Sequence, residues 1–156
     1  MTQSLSLESR VARLEARNAI TELSAQYAVA CDVRDLDLLG SLFTEDAVLD
    51  TPNGSMQASG RAAIVALFER VLAIRGPGFH WTHDPVIRFL SDTEATGTIF
   101  CHAETTPNGV QSVAALRYDD AYRRDGDCWR IARRVLNFFY YVPAADYAEA
   151  LARPDR

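Results

Sequence analysis

The sequence predicts an α+β fold: a curved antiparallel sheet, shaped as a cone, wrapped around N-terminal helices. Three observations predict it. Apolar residues recur at helical spacing through the first third of the chain. The period changes at Phe79, after which four long extended stretches are rich in β-branched and aromatic residues. Turn chemistry separates those stretches as in a meander. With 156 residues, the chain is long enough to bury roughly 70% of its unfolded surface without a disulfide or a metal.

The elements follow in order. Leu7, Val11, Leu14, Ile20, Leu23, Tyr27 and Cys31 form one stripe of a long amphipathic helix, and Ser4 or Ser6 can cap its start. A short helix is predicted from Asp35 to Phe43, with Asp35 as its N-cap. Ala47 to Thr51 reads as a strand, stopped by the turn Pro52-Asn53-Gly54-Ser55. Ser59-Gly60-Arg61 opens another helix, whose apolar face is Ile64, Leu67, Phe68, Val71 and Leu72, and Gly76-Pro77-Gly78 ends it. The extended stretches are 79–90, 94–106, 110–124 and 128–142. Ser91-Asp92, Pro107-Asn108-Gly109 and Asp125-Gly126-Asp127 separate them. Pro85 places a bulge or a sheet edge inside the first stretch. Ala144–Arg153 reads as a short closing helix. The mouth of such a cone is a natural apolar pocket.

Composition excludes several functions. With 16 basic and 21 acidic residues the net charge is −5. An acidic surface without a basic block argues against nucleic acid and against anionic membrane surfaces. Every basic residue is Arg, which removes Schiff-base, pyridoxal phosphate and P-loop chemistry. Cys31, Cys101 and Cys128 are widely spaced and odd in number, so they read as reduced thiols of a cytoplasmic protein. No leader pattern and no apolar run of about 20 residues is present.

Few residues are left to carry chemistry. His80 lies in the aromatic segment Phe79-His80-Trp81, where an apolar wall would keep an imidazole neutral and basic. His102 falls on the next predicted strand. His80 and His83 have a metal-like spacing, but on a strand residues three apart point to opposite faces, so no metal site is expected. Asp32 ends the first helix and reads either as a cap or as a carboxylate that orients a histidine. Tyr27, five residues earlier, is either a core aromatic or a hydroxyl aimed at the same opening. Alternation sends Arg133 and Arg134 to opposite faces, so one arginine faces the enclosed side and meets either an acidic neighbour or an anion. Nucleophile elbows, dinucleotide fingerprints and P-loops are absent.

The layout resembles the SnoaL-like branch of the nuclear-transport-factor-2-like superfamily. The resemblance rests on Ile20 to Asp32, on Leu42-Phe43-Thr44-Glu45-Asp46-Ala47-Val48, on Gly60-Arg61-Ala62-Ala63-Ile64 and on the strand around Trp129-Arg130-Ile131. It implies one domain over residues 1–156, with the core at about 7–143 and a tail at 144–156. Within the branch the chain is most similar to small lyases, the hexachlorocyclohexane dehydrochlorinases, scytalone dehydratases and bile-acid dehydratases. That similarity implies a His–Asp dyad of His80 and Asp32, with Tyr27, Arg134 and His102 as further catalytic residues. The dehydrochlorinase lysine has no counterpart here. Trp81, Phe100, Tyr118 and Phe138 are the expected substrate-lining aromatics. The implied activity is a cofactor-independent elimination of water or halide from a hydrophobic cyclic molecule. The alternatives are an isomerase or cyclase using the same proton abstraction, or a small-molecule binder. The aromatic run Phe138-Phe139-Tyr140-Tyr141-Val142 adds a homo-oligomer, a dimer or trimer, to the expectations.

Overall fold

Ser6 starts the helical layer: its Oγ accepts the Ser9 amide at 3.1 Å and caps α1, Leu7–Val33. The computed structural model describes residues 6–152, so Ser4 and Arg153 lie outside the described residues. The stripe on α1 packs from Ile20 onward through Leu23, Tyr27 and Cys31, whereas Leu7, Val11 and Leu14 are exposed. Arg34 ends the helix in the left-handed region, φ 62°. Asp35 then caps α2, Leu36–Ser41, by accepting the Leu38 amide at 2.8 Å.

Strand β1 spans Phe43–Asp50, beginning earlier than the predicted Ala47. The short β2, Ala58–Ser59, pairs with it and has no counterpart in the sequence reading. Gly60 takes φ 88°, a backbone that favours glycine, and its amide donates to the Ala47 carbonyl before α3 begins, Arg61–Ile74. Pro85 splits the predicted stretch 79–90 into β3, Phe79–Thr82, and β4, Val86–Phe89. Both pair antiparallel with β5, Glu94–Thr105. β6, Ser112–Asp125, and β7, Cys128–Pro143, complete the meander. The tail is a single 3₁₀ turn, Ala144–Asp146, followed by α4, Tyr147–Ala152.

The sheet corrects the predicted architecture. Its seven strands run in the order β2-β1-β7-β6-β5-β3, with β4 also on β5. β1 lies parallel to β7, so the sheet is mixed rather than antiparallel. β2 and the β3/β4 edge do not pair with each other, so the sheet stays open and no cone forms. The physical reason lies in the edges: β2 has two residues and β3 four, too few ladder bonds to carry pairing around to closure. The molecule is α+β with helices packed on one face of an open mixed sheet.

Strict alternation in β5 and β6 sends Ala95, Ile99, Cys101, Ala103, Ala114, Leu116, Tyr118 and Tyr122 toward the helices. They meet Ile20, Leu23, Tyr27 and Cys31 of α1 and Ile64, Phe68 and Leu72 of α3 in one apolar cluster. Burying each of the Leu, Ile and Phe side chains contributes about 1.5–3 kcal/mol, and the burial pattern fixes which way each strand faces. α1 ends against β3, and that packing brings Asp32 to His80.

Candidate active site

Asp32 sits in the last turn of α1, where the helix dipole disfavours a negative charge. Two hydrogen bonds from β3 compensate. The His80 backbone amide donates to Asp32 Oδ2 at 3.1 Å, and the ring Nδ1–H donates to Oδ1 at 2.6 Å. The carboxylate thereby fixes both the strand position and the ring tautomer, leaving Nε2 with the lone pair. The His80 side chain is 9% exposed and that of Asp32 22%. Burial lowers the His80 pKa from its ordinary value; Asp32 opposes this shift and the Arg75 charge adds to it. The imidazole is therefore neutral at neutral pH and competent as a base.

His80 lines a narrow pocket between the helices and the inner sheet face, open to solvent and with a cavity volume of about 20 Å³. Tyr27, Cys31 and Phe68 come from the helices, and Ala103, Leu116, Tyr118, Leu136, Phe138 and Tyr141 from the sheet. Phe138 stacks on Tyr141 with centroids 6.0 Å apart, and the Tyr141 hydroxyl and Thr105 Oγ1 are 3.0 Å apart. Tyr27 meets Phe43, Phe68 and Tyr118 edge to face. Burial raises its hydroxyl pKa well above the ordinary tyrosine value, so it stays a proton-bearing donor. Burial likewise pushes the Cys31 thiol up to about 12 and raises that of Cys101, which rules against a thiolate at either position.

The structure thus brings His80, Asp32, Tyr27, Tyr118 and Phe138 together. Three other expected residues lie elsewhere. In the β3–β5 ladder His80 pairs with Ala103, and Trp81 with His102. Paired residues share a face and neighbours alternate, so Trp81 and His102 point to the side opposite His80. There their rings lie 6.1 Å apart. Phe100 is on that outer face too, stacked on Phe139 at 5.9 Å. Strand alternation therefore removes His102, Trp81 and Phe100 from the pocket.

Arg134 faces inward but does not line the pocket. It is fully buried, and its Nε and Nη2 donate to the two oxygens of Asp120 at 2.9 and 2.7 Å. The Tyr122 hydroxyl donates to the same carboxylate at 2.7 Å. The guanidinium is sandwiched between Tyr27 and Tyr118, 4.1 and 4.3 Å from their ring centroids. Arg134 is therefore held by an acidic neighbour, one of the two readings its sequence position allowed, and packs behind the Tyr27 ring.

The sequence reading missed Arg75, which lines the pocket where α3 ends. An arginine there has an ordinary appearance, because a helix C-terminus favours positive charge. Among the described residues no group of three or more His, Cys, Asp or Glu side chains could hold a metal ion. No described helix is long and apolar enough to cross a membrane.

A family model, the SnoaL-like domain, matches residues 12–135. No curated protein matches the chain by sequence. Among solved structures, the hexachlorocyclohexane dehydrochlorinase LinA is similar at a TM-score of 0.82 with 23% identity, over 88% of this chain and 95% of its own. A provisional scytalone dehydratase from Novosphingobium aromaticivorans gives 0.78 with 23% identity, over 86% and 91%. A provisional aromatic ring hydroxylase from that organism gives 0.77 with 27% identity, over 86% and 97%. The three names differ in reaction, so what they share with this chain is the fold. The family model covers most of the residues from α1 to β7, and by it the chain belongs to the SnoaL-like domain family.

Proposed function

We propose that this protein is a cofactor-independent lyase, of dehydratase or dehydrohalogenase type, acting on a hydrophobic cyclic small molecule. The observation that carries the reading is the 2.6 Å contact from His80 Nδ1 to Asp32 Oδ1 on the wall of a largely apolar pocket. With Nδ1–H engaged, Nε2 takes a proton from a substrate carbon. The electrons of the broken C–H bond form a double bond to the neighbouring carbon, and that carbon releases hydroxide or halide. Asp32 stabilises the imidazolium that results. The Tyr27 hydroxyl donates to the departing or developing oxyanion. Arg134 is assigned a positioning role, holding the Tyr27 ring through its stacked guanidinium.

The test is turnover on cyclic substrates that carry an acidic C–H beside a hydroxyl or halide, with products read by mass spectrometry. Loss of water or hydrogen halide is expected; a product of unchanged mass would point to isomerisation or cyclisation instead. His80→Ala, checked for folding by circular dichroism, is expected to lower turnover by about 10²–10⁴. Full turnover in a folded His80→Ala protein would refute the dyad.

A further inference from the structure

Arg75 stands apart from the other arginines near the site. Its backbone is fastened on three sides. The amide donates to the Val71 carbonyl at 3.2 Å, the carbonyl accepts Arg34 Nη2 at 2.6 Å, and the residue bridges to Pro107. Its guanidinium makes no hydrogen bond or ion pair with any described residue, although it is half-buried at the pocket. Arg134, by contrast, is committed to Asp120, and Arg61 to Glu45 and the Phe43 carbonyl. Asp32, the carboxylate on the facing helix, is occupied by His80.

A half-buried guanidinium with no acidic partner keeps its N–H donors free for an anionic group on a ligand. The remainder of the wall is apolar or neutral, with Met56, Phe68, Leu116 and Phe138 typical of it. A planar fork of N–H donors fits a carboxylate with two parallel bonds. We propose that Arg75 binds a carboxylate on the otherwise apolar ligand of this pocket, making it the residue that selects acids over neutral rings. The inference rests on reading the pocket as the active site, and it names the substrate class: a hydrophobic ring bearing a carboxylate. The position also suits the chemistry. Arg75 and His80 line the same pocket, so a bound carboxylate would lie within the same small volume as the base.

The experiment measures binding of matched pairs by isothermal titration calorimetry: benzoate against benzyl alcohol, cyclohexanecarboxylate against cyclohexylmethanol, and 1-naphthoate against 1-naphthalenemethanol. The wild-type protein is expected to prefer at least one acid over its alcohol by roughly tenfold or more. Arg75→Met is expected to erase that preference while leaving alcohol affinity unchanged, a result that a merely unfolded variant would not give. Arg75→Gln, which removes the charge and keeps polarity, serves if the Met variant fails to fold. His80→Gln is expected to keep the acid preference, so a failed dyad and a failed Arg75 site give different results. Equal affinity for acid and alcohol in the wild type, a preference surviving in both Arg75 variants, or no binding of any acid would overturn the proposal.

Discussion

His80 and Asp32 lie 48 residues apart, yet two hydrogen bonds join them. The local signal for Asp32 is its unfavourable place: a carboxylate in a last helical turn that contains no basic residue, at a cost of about 0.3–1 kcal/mol. Asp32→Asn removes the charge that stabilises the imidazolium and turns one of the two acceptor oxygens into an amide donor, so the tautomer is no longer fixed. Turnover is expected to fall by about two orders of magnitude or more, measured on whichever substrate the wild type eliminates. The pH dependence has a definite sign. Burial lowers the His80 pKa, so the acid limb of kcat/KM is expected below the ordinary imidazole value of about 6.5. Stability follows the same linkage. The unfolded chain protonates this ring first as pH falls, so the contribution of His80 is fully present above about 6.5 and is lost as pH drops through the lowered value. Urea midpoints compared between wild type and His80→Gln across this range check it, with the difference expected to narrow or reverse toward acid.

The inner face of β5, β6 and β7 forms the scaffold of the site, and a buried ion pair sits within it. Asp120→Ala leaves the fully buried Arg134 charge without its partner. A loss of about 3–5 kcal/mol is expected from chemical denaturation. Gly97 belongs to the same region: a Cβ there would come within 2.8 Å of Tyr122 Cε2, so Gly97→Ala displaces the tyrosine that also holds Asp120. These central strands were readable in the sequence because their alternation is strong, and α1 and α3 because their apolar stripes are long. β2 was not readable, since two residues carry no period. Asp120 was within reach, however. Asp119-Asp120 on β6 is the mirror of Arg133-Arg134 on β7, and in each pair alternation turns one charge inward.

At the scale of the molecule, chain topology creates the site by carrying the end of α1 onto β3, at the edge of an open sheet. Neither the openness nor the parallel pairing of β1 with β7 has a local signature in the residues, because both depend on contacts between distant segments. Arg75 was hidden for a related reason: only the path of α3 shows that its side chain reaches the pocket. The outer sheet face leaves Phe79, Trp81, Phe100 and Phe139 exposed. Self-association through this face is the expected consequence, and sedimentation velocity should find a species larger than the monomer that Trp81→Glu shifts toward monomer. The proposed chemistry turns on the state of one imidazole. Nitrogen-15 NMR of the His80 ring across the neutral range measures it directly. A neutral ring is expected at pH 7, with the proton on Nδ1 and Nε2 bare. A ring protonated on both nitrogens at that pH, or one carrying its proton on Nε2, would contradict it.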